Sequence, residues 1–343
     1  MADASHLRID DSFTYRGIEA VFLENRHLRV LALPGKGGDV LEFRDKRTDV
    51  DVLWHADHDW QAPGDAPLPI HDADAYHDHY PGGWQMHVPV AGTTDDFDGT
   101  PYGLHGESAL IPWEYTVERA EESVTLRLET ELLRYPFELE RELTLRADEP
   151  TLEIDETIAN EGGVEVPYIW QQHLALGPPL IGPDATLELP ADTGIVDDYG
   201  PDHSNNRLAG GERFEWPTAP GIGDNGVDLR EFPPLDATIN DLAYATDLRE
   251  GRYAVSNGAL DLRFEFHFPT DPFESVWYWQ PLGGHDAYPF WNRNYNVGLE
   301  PTTAYPGSDV PDAQRANGTL KYLDAGERLS KSFSATVGRP SES

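Results

Sequence analysis

Apolar and polar residues alternate along most of this chain, and each alternating run ends at Gly, Pro, Asn or Asp. A period of two, punctuated by turn residues, is the signature of strands with one packed and one solvated face. The clearest stretch is 122–159. There Val124, Leu126 and Leu128 alternate, followed by Phe137 and Leu139, Leu143 and Leu145, then Leu152, Ile154 and Ile158. Asp148-Glu149-Pro150 and Asn160-Glu161-Gly162-Gly163 close two of these runs as turns. Further strands are expected at 19–24, 28–33, 39–43, 50–54, 113–119, 185–190, 251–256, 260–268, 276–280, 318–323 and 330–337. Useful stripes at the helical period of 3.6 are missing, so helix should be scarce.

Many antiparallel strands with one buried face imply stacked sheets. The expected fold is all-β, a large antiparallel β-sandwich, with residues 1–343 forming a single domain because no linker divides the chain. Two insertions interrupt the pattern. Residues 55–81 are crowded with His and Asp, and 191–250 are rich in Asp, Gly, Pro and Asn; the second region is expected to lie as long loops over one face, where loops tend to carry function. Residues 338–343 read as a frayed tail.

Composition narrows the class. The chain has 343 residues with 39% hydrophobic content, enough for a sizeable core. It carries 62 acidic against 25 basic residues, a formal charge of −37, with the acids spread throughout. Only Lys36, Lys46, Lys321 and Lys331 are lysines. Such a self-repelling surface suits concentrated salt, where the Debye length falls to about 3 Å at 1 M, and a halophilic source is the expectation. The same charge argues against nucleic acid and anionic membranes, which call for clustered Lys and Arg. The absence of cysteine removes disulfides, thiolate metal sites and thiol nucleophiles. No basic-then-apolar leader opens the sequence and no run approaches the roughly 20 apolar residues of a membrane span. The expected protein is soluble and cytoplasmic, a monomer or homodimer.

Candidate chemistry gathers in a few segments. Tyr295-Asn296-Val297-Gly298-Leu299-Glu300-Pro301 reads as a strand that brings a carboxylate to its end, since Pro301 has no N–H for the ladder. Pro167-Tyr168-Ile169-Trp170-Gln171-Gln172-His173 does the same for an imidazole. Glu300 and His173 together supply one acid and one base, the pair that moves protons on and off a hydroxyl. Gln171 and Gln172 beside His173 would be costly to bury without partners. His105 lies between Gly103 and Gly106, which let a ligand approach the backbone. Trp84 and His87 follow the Gly82-Gly83 pair, and an aromatic face next to polar groups is how a sugar-ring site is furnished. Asp241 is a further carboxylate that could grip hydroxyls. The cluster His71, Asp72, Asp74, His77, Asp78 and His79 offers N and O donors for a metal, although no i, i+4 pair on a helix is evident. Dinucleotide and P-loop motifs are missing, and no lysine sits where a Schiff base would form.

On these residues the chain resembles the galactose mutarotase-like superfamily, the aldose 1-epimerases and their relatives. Leu104-His105-Gly106 resembles the segment that holds a substrate-binding histidine. Trp170-Gln171-Gln172-His173 resembles the strand with the general-acid histidine, and Val297-Gly298-Leu299-Glu300-Pro301 the strand with the general-base glutamate. The order His, His, Glu also matches. The chain departs from the pattern where Glu107 and Ser108 follow Gly106 in place of a second Gly, and where an early Asn-Arg pair is missing, with Arg44 the candidate substitute. The resemblance implies a supersandwich fold and an isomerase that interconverts the anomers of a free aldose. Glu300 as carboxylate would take the anomeric proton while protonated His173 delivers one to the ring oxygen. His105, Trp84, His87, Gln171 and Asp241 would bind substrate, with no cofactor and no metal. A non-catalytic carbohydrate-binding sandwich and a metal-dependent isomerase using the His71–His79 cluster remain as alternatives.

Overall fold

A computed structural model of the chain describes residues 7–62, 75–94, 96–199, 204–223 and 225–340. Strands dominate, as the alternation requires, and helix among these residues is confined to α1 (Ala75–Asp78) and α2 (Asp312–Asn317). All ladders between the strands are antiparallel.

The larger sheet has twelve described strands. In space they run β1 (Arg8–Tyr15), β2 (Ile18–Glu24), β3 (Leu28–Leu33), β4 (Asp39–Asp45), β6 (Trp84–His87), β12 (Gln171–Leu176), β22 (Val297–Thr302), β21 (Ser275–Gln280), β18 (Asp241–Leu248), β14 (Ala191–Val196) and β15 (Arg213–Glu215), with β5 (Val50–Asp51) paired to β4. The second sheet has eight, in the order β13 (Ala185–Glu188), β19 (Arg252–Asn257), β20 (Leu262–His267), β24 (Arg328–Gly338), β10 (Thr151–Asn160), β9 (Phe137–Arg146), β8 (Ser123–Glu131) and β7 (Glu114–Arg119). Two short pairs complete the set, β11 (Val166–Tyr168) with β23 (Lys321–Leu323) and β16 (Thr218–Pro220) with β17 (Gly226–Asp228).

One continuous core joins the inner faces of the two sheets, with Val30, Phe43, Trp84, Met86 and Leu174 of the larger sheet meeting Leu126, Leu143, Ile154, Phe264 and Phe266 of the smaller. Phe43 meets Phe264 edge-on at 5.6 Å between ring centroids, and Trp84 meets Phe266 at 5.2 Å. Strand β9 shows the period most cleanly, its residues buried and half-buried in strict alternation until Arg146.

Two expectations need correction. Region 191–250 is not a set of long loops: it supplies β14 and β18 to the main sheet, besides β15, β16 and β17. Its Asp- and Gly-rich runs are turns between short strands, and β15 and β17 are three residues long with no fully buried position, too short for an alternation to show. Pro301 also does not end its ladder. β22 continues to Thr302, pairing Val276 with Pro301 and both Ser275 and Gln171 with Thr302, because a proline deletes one donor and the flanking pairs hold the strand. Among the described residues no helix is long and apolar enough to cross a membrane.

Candidate active site

The floor of the site is the outer face of four neighbouring strands, β6, β12, β22 and β21. The register pairs His173 with Gln85 and Glu300 with Trp277, and the pairs Gln171–Thr302 and Ala175–Gly298 bring His173 level with Glu300. Residues directly opposite on adjacent strands share a face. Gln85, His173, Glu300 and Trp277 therefore form one row, which Tyr244 of β18 continues. Nε2 of His173 lies 3.4 Å from Oε1 of Glu300, with both side chains almost wholly buried.

A cavity of about 270 Å³ opens above this row, near the small end of the roughly 300–1,000 Å³ common for small-molecule sites. Trp277, Trp279 and Leu242 form one wall, and Tyr76 and Tyr80 from α1 and the turn after it form another. His105, His285 and Phe290 come from loops; among the described residues Asp197 is the second carboxylate on the lining, and no Lys or Arg lines the cavity. Two loops meet at its rim. Thr93 N–H donates to Gly307 O at 2.8 Å, and a Cβ on Gly92 would fall 2.1 Å from that same oxygen, so only glycine allows the approach.

Hydrogen bonds fix the acid–base pair. Gln171 Nε2 donates to Glu300 Oε2 at 3.0 Å and to Thr302 Oγ1 at 3.1 Å. Its Oε1 lies 2.9 Å from His87 Nδ1, which places the His87 proton on Nδ1. His105 adopts a left-handed backbone, φ 60°. Its Nδ1 accepts the Gly92 N–H at 3.2 Å, so the neutral ring carries its proton on Nε2. Burial raises the Glu300 carboxyl well above the ordinary carboxylate value and lowers the His173 imidazole to about 3. His77 falls to about 3 for the same reason, and burial with neighbouring imidazoles lowers His87 and His105. Burial thus biases the pair toward a carboxylic acid beside a neutral imidazole, one proton transfer away from the carboxylate and imidazolium expected from the sequence.

The other expected site residues separate. His105 lines the cavity, and His87 stacks behind it at 4.2 Å between ring centroids. Gln171 holds Glu300 from beneath. Trp84 does not reach the cavity: alternation along β6 turns Trp84 and Met86 into the core and Gln85 and His87 outward. Its indole lies against the Arg141 guanidinium at 5.1 Å and donates to Gln172 Oε1 at 2.9 Å. Asp241 also faces away, because it pairs with Gln280 while the next residue, Leu242, pairs with Trp279 on the cavity side. It is tied up by Arg207, whose Nε donates to Oδ2 at 2.6 Å. Arg44 pairs with Glu42 and Asp49 and lines a separate surface basin. Glu107 and Ser108 are structural. Glu107 accepts from the Tyr102 hydroxyl at 2.5 Å and from the Leu133 and Arg134 N–H groups, while Ser108 accepts from Val88 N–H.

Of the metal-candidate cluster, His71, Asp72 and Asp74 lie outside the described residues. His77 lines the cavity, Asp78 accepts from the Tyr288 hydroxyl, and His79 Nδ1 contacts Gln61 O at 2.8 Å. Among the described residues no group of three His, Cys, Asp or Glu is arranged to hold a metal ion.

Sequence reasoning misses the actual aromatic wall and the second carboxylate. Trp277 and Trp279, two apart on a strand paired to the Glu300 strand, share one face by parity, and that signal is present in the sequence. Asp197 follows β14 inside the region read as loop, and Tyr76 sits in an insertion with no period; neither carries a signal.

This combination of sheets is the galactose mutarotase-like β-sandwich, and solved structures of that fold align over nearly the whole chain. A protein named as a candidate aldose 1-epimerase from Klebsiella pneumoniae shares 15% identity over 96% of this chain and 83% of its own, with a TM-score of 0.73. A galactose mutarotase-like protein from Clostridium acetobutylicum shares 15% over 97% and 99%, TM-score 0.66. A second candidate aldose 1-epimerase, from Escherichia coli K12, shares 16% over 94% and 100%, TM-score 0.65. At such identities the likeness establishes the fold. No match in sequence was found among curated proteins. The chain belongs to the family described as a domain of unknown function, DUF4432, whose profile matches residues 15–337.

Proposed function

We propose that the protein is a carbohydrate epimerase of the aldose 1-epimerase type, interconverting the anomers of a free, uncharged aldose. The observation that carries this reading is the His173–Glu300 pair, 3.4 Å apart on the floor of a hexose-sized cavity. The anomeric carbon of an aldose bears both the ring oxygen and a hydroxyl. An acid and a base with adjacent tips on one floor reach both oxygens, whereas a pair on opposite walls would not.

The pair holds one proton in either of its forms. The partner that carries it protonates the ring oxygen as the other removes the anomeric O–H proton; the C1–O bond of the ring breaks and the C1 carbonyl forms. Rotation about C1–C2 presents the other carbonyl face. Reclosure runs the two transfers in reverse and moves the pair's one proton back to the partner that first carried it. Proton transfer between the two groups makes a carboxylate and an imidazolium whose opposite charges stay 3.4 Å apart on one floor. Trp277 and Trp279 would take the C–H faces of the ring, and His105 Nε2–H and Asp197 its hydroxyls. A lining without Lys or Arg among the described residues supports an uncharged substrate over a phosphorylated one.

Polarimetry and saturation-transfer NMR on a panel of free aldoses test the proposal. Exchange catalysed by the wild type should be lost in Glu300→Gln and His173→Asn. Equal rates in all three proteins would refute it, and calorimetric binding without anomer exchange would mark a carbohydrate-binding protein instead.

A further inference from the structure

Glycine in the interior of a strand gives up side-chain packing, and it persists where something approaches the backbone closely. Gly298 is the second residue of β22, between Val297 and Leu299, and pairs with Ala175 on one side and Trp279 on the other. Its Cα faces the cavity side, as Glu300 does two residues later. A Cβ built on Gly298 would fall 2.0 Å from Glu300 Oε1, 3.0 Å from Cδ and 3.4 Å from Cγ, and these are the three nearest atoms. The carboxyl therefore lies back over the bare backbone of Gly298, with Oε2 held by Gln171 at 3.0 Å and Oε1 facing His173 at 3.4 Å.

We infer that Gly298 is a positioning residue: the missing side chain leaves the seat in which the Glu300 carboxyl rests, and so sets its distance from His173. The inference rests on the reading of Glu300 as half of the acid–base pair. Any side chain at 298 takes the volume that Oε1 occupies. What must yield is the far end of a flexible side chain, so the sheet stays intact while the carboxyl swings off Gln171 and away from the imidazole. Alanine suits a strand at least as well as glycine does, which removes a folding cost from the comparison.

The experiment is a double-mutant cycle with Gly298→Ala and Glu300→Gln, assayed on the aldose that wild type turns over fastest. Gly298→Ala should lower kcat about 10²-fold, the scale of a misplacement of about 1 Å, with KM within a few-fold and thermal stability near wild type. If Gly298 acts through Glu300 alone, the double variant should match Glu300→Gln, since the second change has nothing left to displace. Wild-type kcat in Gly298→Ala alongside an inactive Glu300→Gln overturns the inference and leaves the proposed function standing. An active Glu300→Gln overturns the proposed function. A crystal structure of Gly298→Ala reads the seat without reference to turnover: a carboxyl still accepting from Gln171 Nε2 overturns the inference, and one turned away supports it.

Discussion

Two sets of buried ionisable groups, one centred between the two sheets and one on the cavity floor of the larger sheet, are furnished differently. On the core face, Glu156 pairs with Arg141 Nε at 2.9 Å and also accepts from Gln172 at 2.6 Å and Trp170 at 3.2 Å. Arg141 in turn donates to Gly38 O at 3.0 Å and rests on the Trp84 ring. Beside this pair, Lys36 Nζ donates to Asp39 at 2.5 Å and to Ala109 O at 3.0 Å, and Gln85 donates to Asp39 at 2.8 Å. On the cavity face, Glu300 has one side-chain donor, Gln171, and a single imidazole at 3.4 Å. Burial pushes Glu156, Asp39 and Arg141 toward neutrality too, but each carboxylate there faces a full opposite charge at close range, and such pairs make a scaffold. A sparsely paired carboxyl and imidazole, both pushed toward neutrality by burial, make a pair that exchanges a proton. Gln85 connects the two sets, since its Oε1 accepts from Tyr76 on the cavity wall.

Removing one member from each set should give opposite phenotypes. Glu300→Gln is expected to lower kcat by about 10²–10⁴-fold, the usual contribution of a general acid or base, with no loss of stability against chemical denaturation. Arg141→Met should do the reverse. Breaking a buried ion pair from one side costs about 3–5 kcal/mol, read as a lower denaturation midpoint, and the folded fraction should keep its KM. Combining Arg141→Met with Glu156→Gln should recover most of that loss, because the amide oxygen introduced at position 156 still accepts from Gln172 or Trp170 and no charge is left unpaired. If Arg141→Met lowers kcat at unchanged stability, the core set is not a scaffold.

The same contrast explains what is legible in the sequence. Strands 122–159 are readable because one face is core and the other solvent, and the residues alternate accordingly. The floor strands have core on one face and a polar, buried site on the other. Gln171, Gln172 and His173 are all buried, so burial no longer tracks polarity; the partners that satisfy them are distant in the chain. His173 and Glu300 are legible as chemical types, and their level register becomes visible only through the pairing of β12 with β22. Trp84 misleads because its neighbours suggest a site while strand parity turns it inward. The two kinds of tryptophan sharpen the point. Trp84→Phe loses the bond to Gln172 and part of the Arg141 platform and should cost about 1–3 kcal/mol of stability, with KM unchanged. Trp279→Phe should raise KM several-fold at nearly unchanged stability. The opposite assignment of the two phenotypes would return Trp84 to the site.

The smallest expected effect is in the pH dependence of stability, and it separates the two members of the pair. His173 titrates near 3 in the folded protein and near 6.5 when unfolded. Between these values the unfolded chain holds a proton that the folded one does not, so this group withdraws stability as pH falls from about 6.5 toward 3. Glu300 works in the other direction. Its folded value lies above the unfolded one, near 4.5, so the folded protein holds the extra proton and this group withdraws stability as pH rises above that point. Glu300→Gln should therefore match wild type near pH 4 and gain on it with rising pH, by about 0.5–2 kcal/mol, the range of a typical stabilising change. His173→Asn should gain below pH 6 and lose that advantage by pH 7.5. Urea denaturation of the three proteins across this range measures both limbs. A carboxylate already stabilised in the folded state would reverse the Glu300→Gln trend, leaving the variant weaker at high pH, and would class the cavity pair with the scaffold beneath it.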